Sequence, residues 1–149
     1  LFRTLATTTT LIIASTADAQ MPQPTYSRDA VKAECSTKWG TEYDMVKYCM
    51  DQRAEGFDYF RQATEVVGDI FAPTLNHCSE KWGHEWDMTA YCAKEQLSAA
   101  QSIYDNTQGL PKPVGDKILV QCSAKWDPQW DMVAYCMRQR ADAWKDING

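Results

Sequence analysis

The chain has 149 residues, of which 44% are hydrophobic and 23% charged, and its formal net charge is −5. This composition is typical of a soluble folded protein and excludes an intrinsically disordered one. Nucleic acid is excluded as the main partner, because neutralising phosphates requires clustered Lys and Arg, and the sequence contains no such cluster.

The first residues have the order of a secretory signal peptide. Arg3 precedes a short apolar run at 11–13, and residues 17–19 form an A-x-A cleavage site. The apolar run is too short to span a bilayer. We therefore predict a signal peptide over 1–19, a mature chain that is periplasmic or secreted, and no membrane span. The alternative is a disordered tail.

One motif occurs three times and contains all six cysteines. The three copies, called boxes below, read CSTKWGTEYDMVKYC, CSEKWGHEWDMTAYC and CSAKWDPQWDMVAYC, with a period of about 43 residues. In an exported protein, an even number of regularly spaced cysteines indicates disulfides. A unit that recurs with its own two cysteines most simply closes on itself. The predicted disulfides are Cys35–Cys49, Cys78–Cys92 and Cys122–Cys136.

This pairing requires the chain to reverse inside each box. On one unbroken helix Cys35 and Cys49 would lie roughly 21 Å apart, whereas a disulfide needs Cα atoms within about 4.4–6.8 Å. Gly40 and Gly83 are helix stops at matching positions, and the third box has Asp127-Pro128 there, which we interpret as an N-cap followed by a first-turn proline. Each box is therefore a helix end, a turn and a helix start.

The remaining segments divide the chain into three helical hairpins. Residues 20–26 are Pro-rich and extended, and Ser27 can cap the first helix. We predict hairpins over 27–67, 73–104 and 116–149, the last capped by Asp116, with a linker at 105–115. No segment alternates as a strand would, so the predicted fold is all-α, with three tandem disulfide-stapled helical hairpins. The sequence does not specify whether the hairpins pack tightly on one another or are independent units separated by the linker.

Residues common to the three boxes are expected to serve the fold. Trp and Met at helical spacing more often fill a core than bind a cofactor. Lys38 and Asp44, with their equivalents, flank the turn. They either form an ion pair across it, or the aspartate is favourable simply because it lies in the first turn of a helix.

Three aromatic residues at matching positions are the candidate binding residues. Tyr43, Trp86 and Trp130 could stack on glycan rings or grip a peptide if exposed, but they share a stripe with apolar residues, and we expect them to be buried. Helical repeat arrays work by presenting an extended face. The sequence therefore predicts a non-enzymatic interaction or structural module without a cofactor, whose partner is an unknown protein, peptide or glycan.

The alternative from another class is a soft-metal-binding or redox-thiol protein. Met45 and Cys49 lie on one helix face, and thioether with thiolate suits Cu(I), although disulfides would consume the thiolates. His77 and His84 flank Cys78 and suggest zinc, but the equivalent positions in the other boxes contain no histidine.

A hydrolase is a third possibility, and it rests on aspartates at one position of each box, Asp44, Asp87 and Asp131. They form no catalytic group unless the hairpins converge around an axis. No CxxC, P-loop, GxGxxG or GxSxG motif is present. We therefore predict no metal site and no catalytic residues.

The CSxKW…DMxxYC box resembles one that recurs in short exported bacterial proteins of no known activity. The resemblance covers the three boxes, which make up under half of the chain. It implies a bacterial, exported protein and nothing more specific.

Overall fold

The computed structural model describes residues 19–149, so the predicted signal peptide lies outside the described residues except for Ala19. All regular elements in this part of the chain are helical, and the predicted all-α class is confirmed. The helices are α1 (Arg28–Trp39), α2 (Tyr43–Val66), α3 (Ala72–Trp82), α4 (Trp86–Ser102), α5 (Lys112–Trp126) and α6 (Trp130–Asn148), with short 3₁₀ turns at Asp69–Phe71 and Asp105–Thr107. No helix among the described residues is long and apolar enough to cross a membrane.

Each box forms the turn of a helical hairpin, and the first two turns depend on glycine. Gly40 has a φ of 58° and Gly83 a φ of 53°, a region that residues with a Cβ rarely adopt. Their N–H groups donate to the carbonyls of Ser36 and Ser79, which closes α1 and α3. The chain can therefore reverse within a few residues.

The third turn differs from the sequence prediction. The Asp127 N–H donates to the Ser123 carbonyl at 2.9 Å, so Asp127 closes α5 in the way that the glycines close α1 and α3. α6 begins at Trp130 with Gln129 as its N-cap. The predicted role of Asp127 as the N-cap of this helix is wrong, because the residue is already used to end the preceding one.

Two helix starts can be compared with the N-caps predicted for them. Ser27 is the N-cap of α1, as predicted, and its Oγ accepts a hydrogen bond from the Ala30 N–H at 3.2 Å. α5 begins at Lys112, before the predicted cap at Asp116, which lies inside the helix. Pro113 is compatible with this earlier start, because the first turn of a helix does not use the N–H that proline lacks.

The predicted disulfides are confirmed. Each joins the two helices of one hairpin, with Cα–Cα distances of 5.8, 5.6 and 5.8 Å for Cys35–Cys49, Cys78–Cys92 and Cys122–Cys136. In the chain-entropy account, closing a loop of about 15 residues stabilises a fold by about 3 kcal/mol. The disulfides thus fix the geometry of each turn.

The hairpins pack against one another and are not independent units separated by a linker. α2 packs along α4, and α4 packs along α6. One core joins the first two hairpins, and it includes Val31, Cys35, Phe60, Leu75, Cys78 and Trp86. A second core joins the end of α4 to the third hairpin, and it includes Ile103, Ile118, Cys122, Val133 and Met137.

Gly56 allows the closest approach between two hairpins. It is buried in α2, and a Cβ added there would lie 2.4 Å from the Trp86 carbonyl oxygen, inside van der Waals contact with the backbone of α4. Backbone atoms cannot give way as the end of a side chain can, so any larger residue must push α4 away from α2.

We predict that Gly56→Ala lowers the free energy of unfolding by about 1–3 kcal/mol, the usual cost of overpacking a well-packed contact. The measurement is urea unfolding of the oxidised protein. Gly68→Ala is the matched control, because a Cβ there meets nothing within 4 Å and its φ is −70°. Equal effects of the two substitutions would contradict the close packing of α2 on α4.

Candidate interaction surface

The first helical turn of α4 is the part of the second hairpin that docks on the first. Trp86 is 5% exposed. Its ring meets Phe57 edge-on at a centroid distance of 5.1 Å and Phe60 at 5.9 Å, both on α2. We call this contact between consecutive hairpins a junction. In it, an aromatic residue at a helix start packs on the second helix of the preceding hairpin.

A charged network surrounds this aromatic contact. Arg53 on α2 has a side chain that is 10% exposed, and its Nη1 donates to Glu34 Oε2 at 3.1 Å and to the His84 carbonyl at 2.8 Å. Its Nε lies 2.9 Å from Asp87 Oδ1, a charge contact without the alignment of a hydrogen bond. One guanidinium thus links α1, the turn of the second box and the first turn of α4.

The second junction repeats this arrangement with a neutral amide in place of the guanidinium. Gln96 occupies the position of Arg53 relative to the second cysteine of its box, and Asp131 that of Asp87. Gln96 Nε2 donates to Asp131 Oδ1 at 2.9 Å, and its Oε1 accepts from the Asp131 N–H at 3.3 Å. Thr74 Oγ1 donates to the Pro128 carbonyl at 3.0 Å, and Pro128 is the counterpart of His84. In both junctions the next box is held by its turn carbonyl and its first-turn aspartate.

We call the docking residues on the second helix of each hairpin the junction stripe. It comprises Arg53, Gly56, Phe57 and Phe60 in the first hairpin, Gln96, Ala99, Ala100 and Ile103 in the second, and Arg140, Ala143, Trp144 and Ile147 in the third. The first two stripes are buried or half-buried. In the third, Trp144 is half-buried and the other residues are exposed, Ile147 to 81%.

The third junction stripe forms one wall of an open groove of about 680 Å³, which we call the tail groove. Its other wall comes from α5 and includes Pro113, Val114 and Ile118. Arg140 donates to Gln121 of its own hairpin, as Arg53 does to Glu34 at the equivalent position. Among the described residues, no carboxylate forms an ion pair with Arg140.

The three candidate binding aromatics lie in different environments. Trp86 is buried, Trp130 is half-buried and packs on Phe71 at 5.9 Å, and Tyr43 is 76% exposed. The expected burial is therefore wrong for Tyr43. The difference has a simple cause, since among the described residues no hairpin precedes α1 and α2 to cover Tyr43. Their role in binding stays a prediction.

Each box also contains an exposed tyrosine, and the sequence does not predict its exposure. Tyr48, Tyr91 and Tyr135 are 58%, 58% and 52% exposed. They are identical in the three boxes, although residues common to the boxes are expected to serve the fold. The fact that they point to solvent depends on which side of each hairpin packs on its neighbours, and the box sequence alone does not specify this.

The possible ion pair between the box lysine and the box aspartate does not form. Instead, the Nζ of Lys38, Lys81 and Lys125 lies 5.4, 5.3 and 5.0 Å from the ring centroid of the tryptophan that follows it. Such a cation–π contact stabilises an exposed site by about 0.5–1 kcal/mol. The aspartates lie in the first turn of α2, α4 and α6, as the other interpretation required.

The residues of the metal and hydrolase alternatives are not brought together. All six cysteines form disulfides, and a disulfide sulfur is not the thiolate that binds a soft metal. Asp87 contacts Arg53, Asp131 contacts Gln96, and Asp44 is exposed at the other end of the array. Over residues 19–149 no group of three or more His, Cys, Asp or Glu is placed to hold a metal ion.

A second depression, of about 830 Å³, lies between the extended N-terminal segment and α3. Its lining includes Gln20, Met21, Asp69 and Ile70. Asp69 is its single ionisable side chain among the described residues. The tail groove is the better candidate, because it combines apolar walls with a cation and has two covered counterparts within the chain.

No protein-family model, no curated protein and no solved structure matches this chain.

We predict that Arg53→Met lowers the free energy of unfolding by about 2 kcal/mol, because it removes charge-assisted hydrogen bonds and leaves Glu34 and Asp87 without their cation. Arg140→Met is the matched control at the same position of the third hairpin, and we expect a change within about 0.5 kcal/mol. Both are measured by urea unfolding of dilute oxidised protein. If the two substitutions have equal effects, Arg53 does not hold the first junction together.

Proposed function

We propose that this protein is an exported, non-enzymatic interaction or structural module whose binding surface is the tail groove. The observation that carries the proposal is the exposed junction stripe of the third hairpin. At the same positions in the first two hairpins, the stripe is covered by the next hairpin. An apolar patch with a polar rim, left open where its counterparts are covered, is typical of a protein-binding site.

The cysteine chemistry supports the compartment. Three disulfides fit an extracellular or otherwise oxidising environment, because cytosolic thiols are kept reduced. Together with the predicted signal peptide over 1–19, this favours a protein that acts in the periplasm or is secreted.

The chemistry of the groove favours a polypeptide partner over a glycan. Its walls are mainly aliphatic, with Trp144 half-buried and Arg140 at the rim. Within the chain, the same stripe receives a helix start that brings an aromatic ring, an aspartate and a backbone carbonyl. We therefore expect the partner to be a protein segment that presents an apolar or aromatic side chain beside a carboxylate.

The test is photo-crosslinking in cells that export the protein. Benzoylphenylalanine replaces Ile147 in the groove or, as the control, Val120 on α5, which is 67% exposed and outside the groove lining. We expect discrete protein adducts from Ile147→benzoylphenylalanine that are absent from the Val120 variant. Mass spectrometry of the adducts identifies the crosslinked polypeptide.

A substitution in the groove gives the second readout for the proposed function. Trp144→Ala removes the half-buried aromatic residue of the groove and should reduce the adduct yield several-fold, since aromatic anchors carry much of the energy of a protein interface. Equal adduct formation at positions 147 and 120, or none at either, would show that the groove is not the binding surface.

A further inference from the structure

We propose that the tail groove binds the opposite end of a second copy of this chain, so that the protein assembles head to tail. This inference rests on the proposed function, and it names the partner of that same surface. The head is the exposed turn of the first box with the start of α2, comprising Thr41, Tyr43, Asp44 and Lys47. The geometry for the contact already exists twice within the chain, where α4 docks on α2 and α6 docks on α4.

The aromatic and acidic residues of the head are the counterparts of those that dock within the chain. Tyr43 and Asp44 occupy the positions of Trp86 and Asp87 in the second box. Both are exposed at the start of α2, with Tyr43 exposed to 76%. The head therefore presents an aromatic ring and a carboxylate in the first turn of a helix, as the second and third boxes do where they dock.

The tail groove has the complementary charge. Arg140 corresponds to Arg53, which contacts Asp87 and donates to the His84 carbonyl. In a head-to-tail contact built on the first junction, Arg140 would meet Asp44 and the Thr41 carbonyl of the next copy. Arginine is present at this position in the first and third stripes, whereas the second has Gln96.

Lys47, which pairs with Asp51 on its own helix, adds a second complementary charge. It takes the place of Ala90, which lines a small depression in the first junction together with Glu55 and Gly56. The counterpart of Glu55 in the third hairpin is Asp142. A docked second copy would therefore bring the Lys47 ammonium beside the Asp142 carboxylate.

The residue at the Gly56 position of each stripe limits how closely the backbone of a docked helix can approach. The third stripe has Ala143 where the first has Gly56, so the backbone of a docked copy would lie farther from the stripe than α4 lies from α2. The second junction is already formed with alanine, Ala99, at this position. Because head and tail are different surfaces, each added copy leaves one free head and one free tail. The assembly therefore does not stop at a dimer, unless its rotation closes a ring.

The test is self-association of the purified oxidised mature chain, measured by sedimentation velocity over a range of protein concentrations. We expect an average mass that rises with concentration beyond the dimer. Arg140→Asp and Asp44→Arg each place like charges at the contact and should weaken association by at least about tenfold. The double variant, with the charges exchanged, should associate again, as should an equimolar mixture of the two single variants.

Crosslinking gives the orientation independently of affinity. Benzoylphenylalanine at position 147 should form adducts with residues 41–47 of a second copy, and Asp44→Arg should abolish them. A tail-to-tail dimer would be insensitive to Asp44→Arg and would overturn the head-to-tail contact. A chain that stays monomeric at every concentration, while position 147 still crosslinks to a different protein in cells, would overturn this inference and leave the proposed function intact. Absence of any adduct at position 147 would overturn both.

Discussion

The disulfide across each turn is the constraint on which the rest of the structure depends. A hairpin of this size cannot bury enough apolar surface to be stable alone, and each crosslink holds its two helices with Cα atoms 5.6–5.8 Å apart. The first cysteine of each box is also almost completely buried, so the crosslinks are part of the core. With the turn fixed, the first turn of the second helix projects from the same place in every hairpin and can dock in the same way.

Docking between hairpins combines one apolar and one polar contact, and the two have different roles. The aromatic residue at the helix start contributes favourable free energy through the apolar area that it buries. The polar contact, Arg53 with Asp87 in the first junction and Gln96 with Asp131 in the second, sets which residues meet. A buried guanidinium without its carboxylates would be costly, so a slipped register is disfavoured.

An array built in this way ends with two unlike surfaces, and the proposed function follows from that asymmetry. Within residues 19–149, the first hairpin has the docking element without a stripe to receive it, and the third hairpin has the stripe without a docking element. Repeat proteins usually cover such ends with polar capping units. Here the last stripe retains Trp144, Ile147 and Arg140 in solvent-accessible positions, which is the composition expected of a surface that binds another protein.

The amino-acid sequence alone predicts the helical class, the three hairpins, the disulfide pairing and the glycine turns. These features are local: a recurring box with two cysteines can be crosslinked only if the chain reverses inside it, and Gly40 and Gly83 stand where the reversal needs a positive φ. Which residues at equivalent positions are buried depends instead on how the hairpins pack. Tyr43 and Trp86 hold the same position in their boxes, yet one is 76% and the other 5% exposed, because within residues 19–149 only Trp86 has a preceding hairpin to dock on. Arg53 and Arg140 differ in the same way, since exposure depends on the neighbouring hairpin, and no pattern within one box encodes that neighbour.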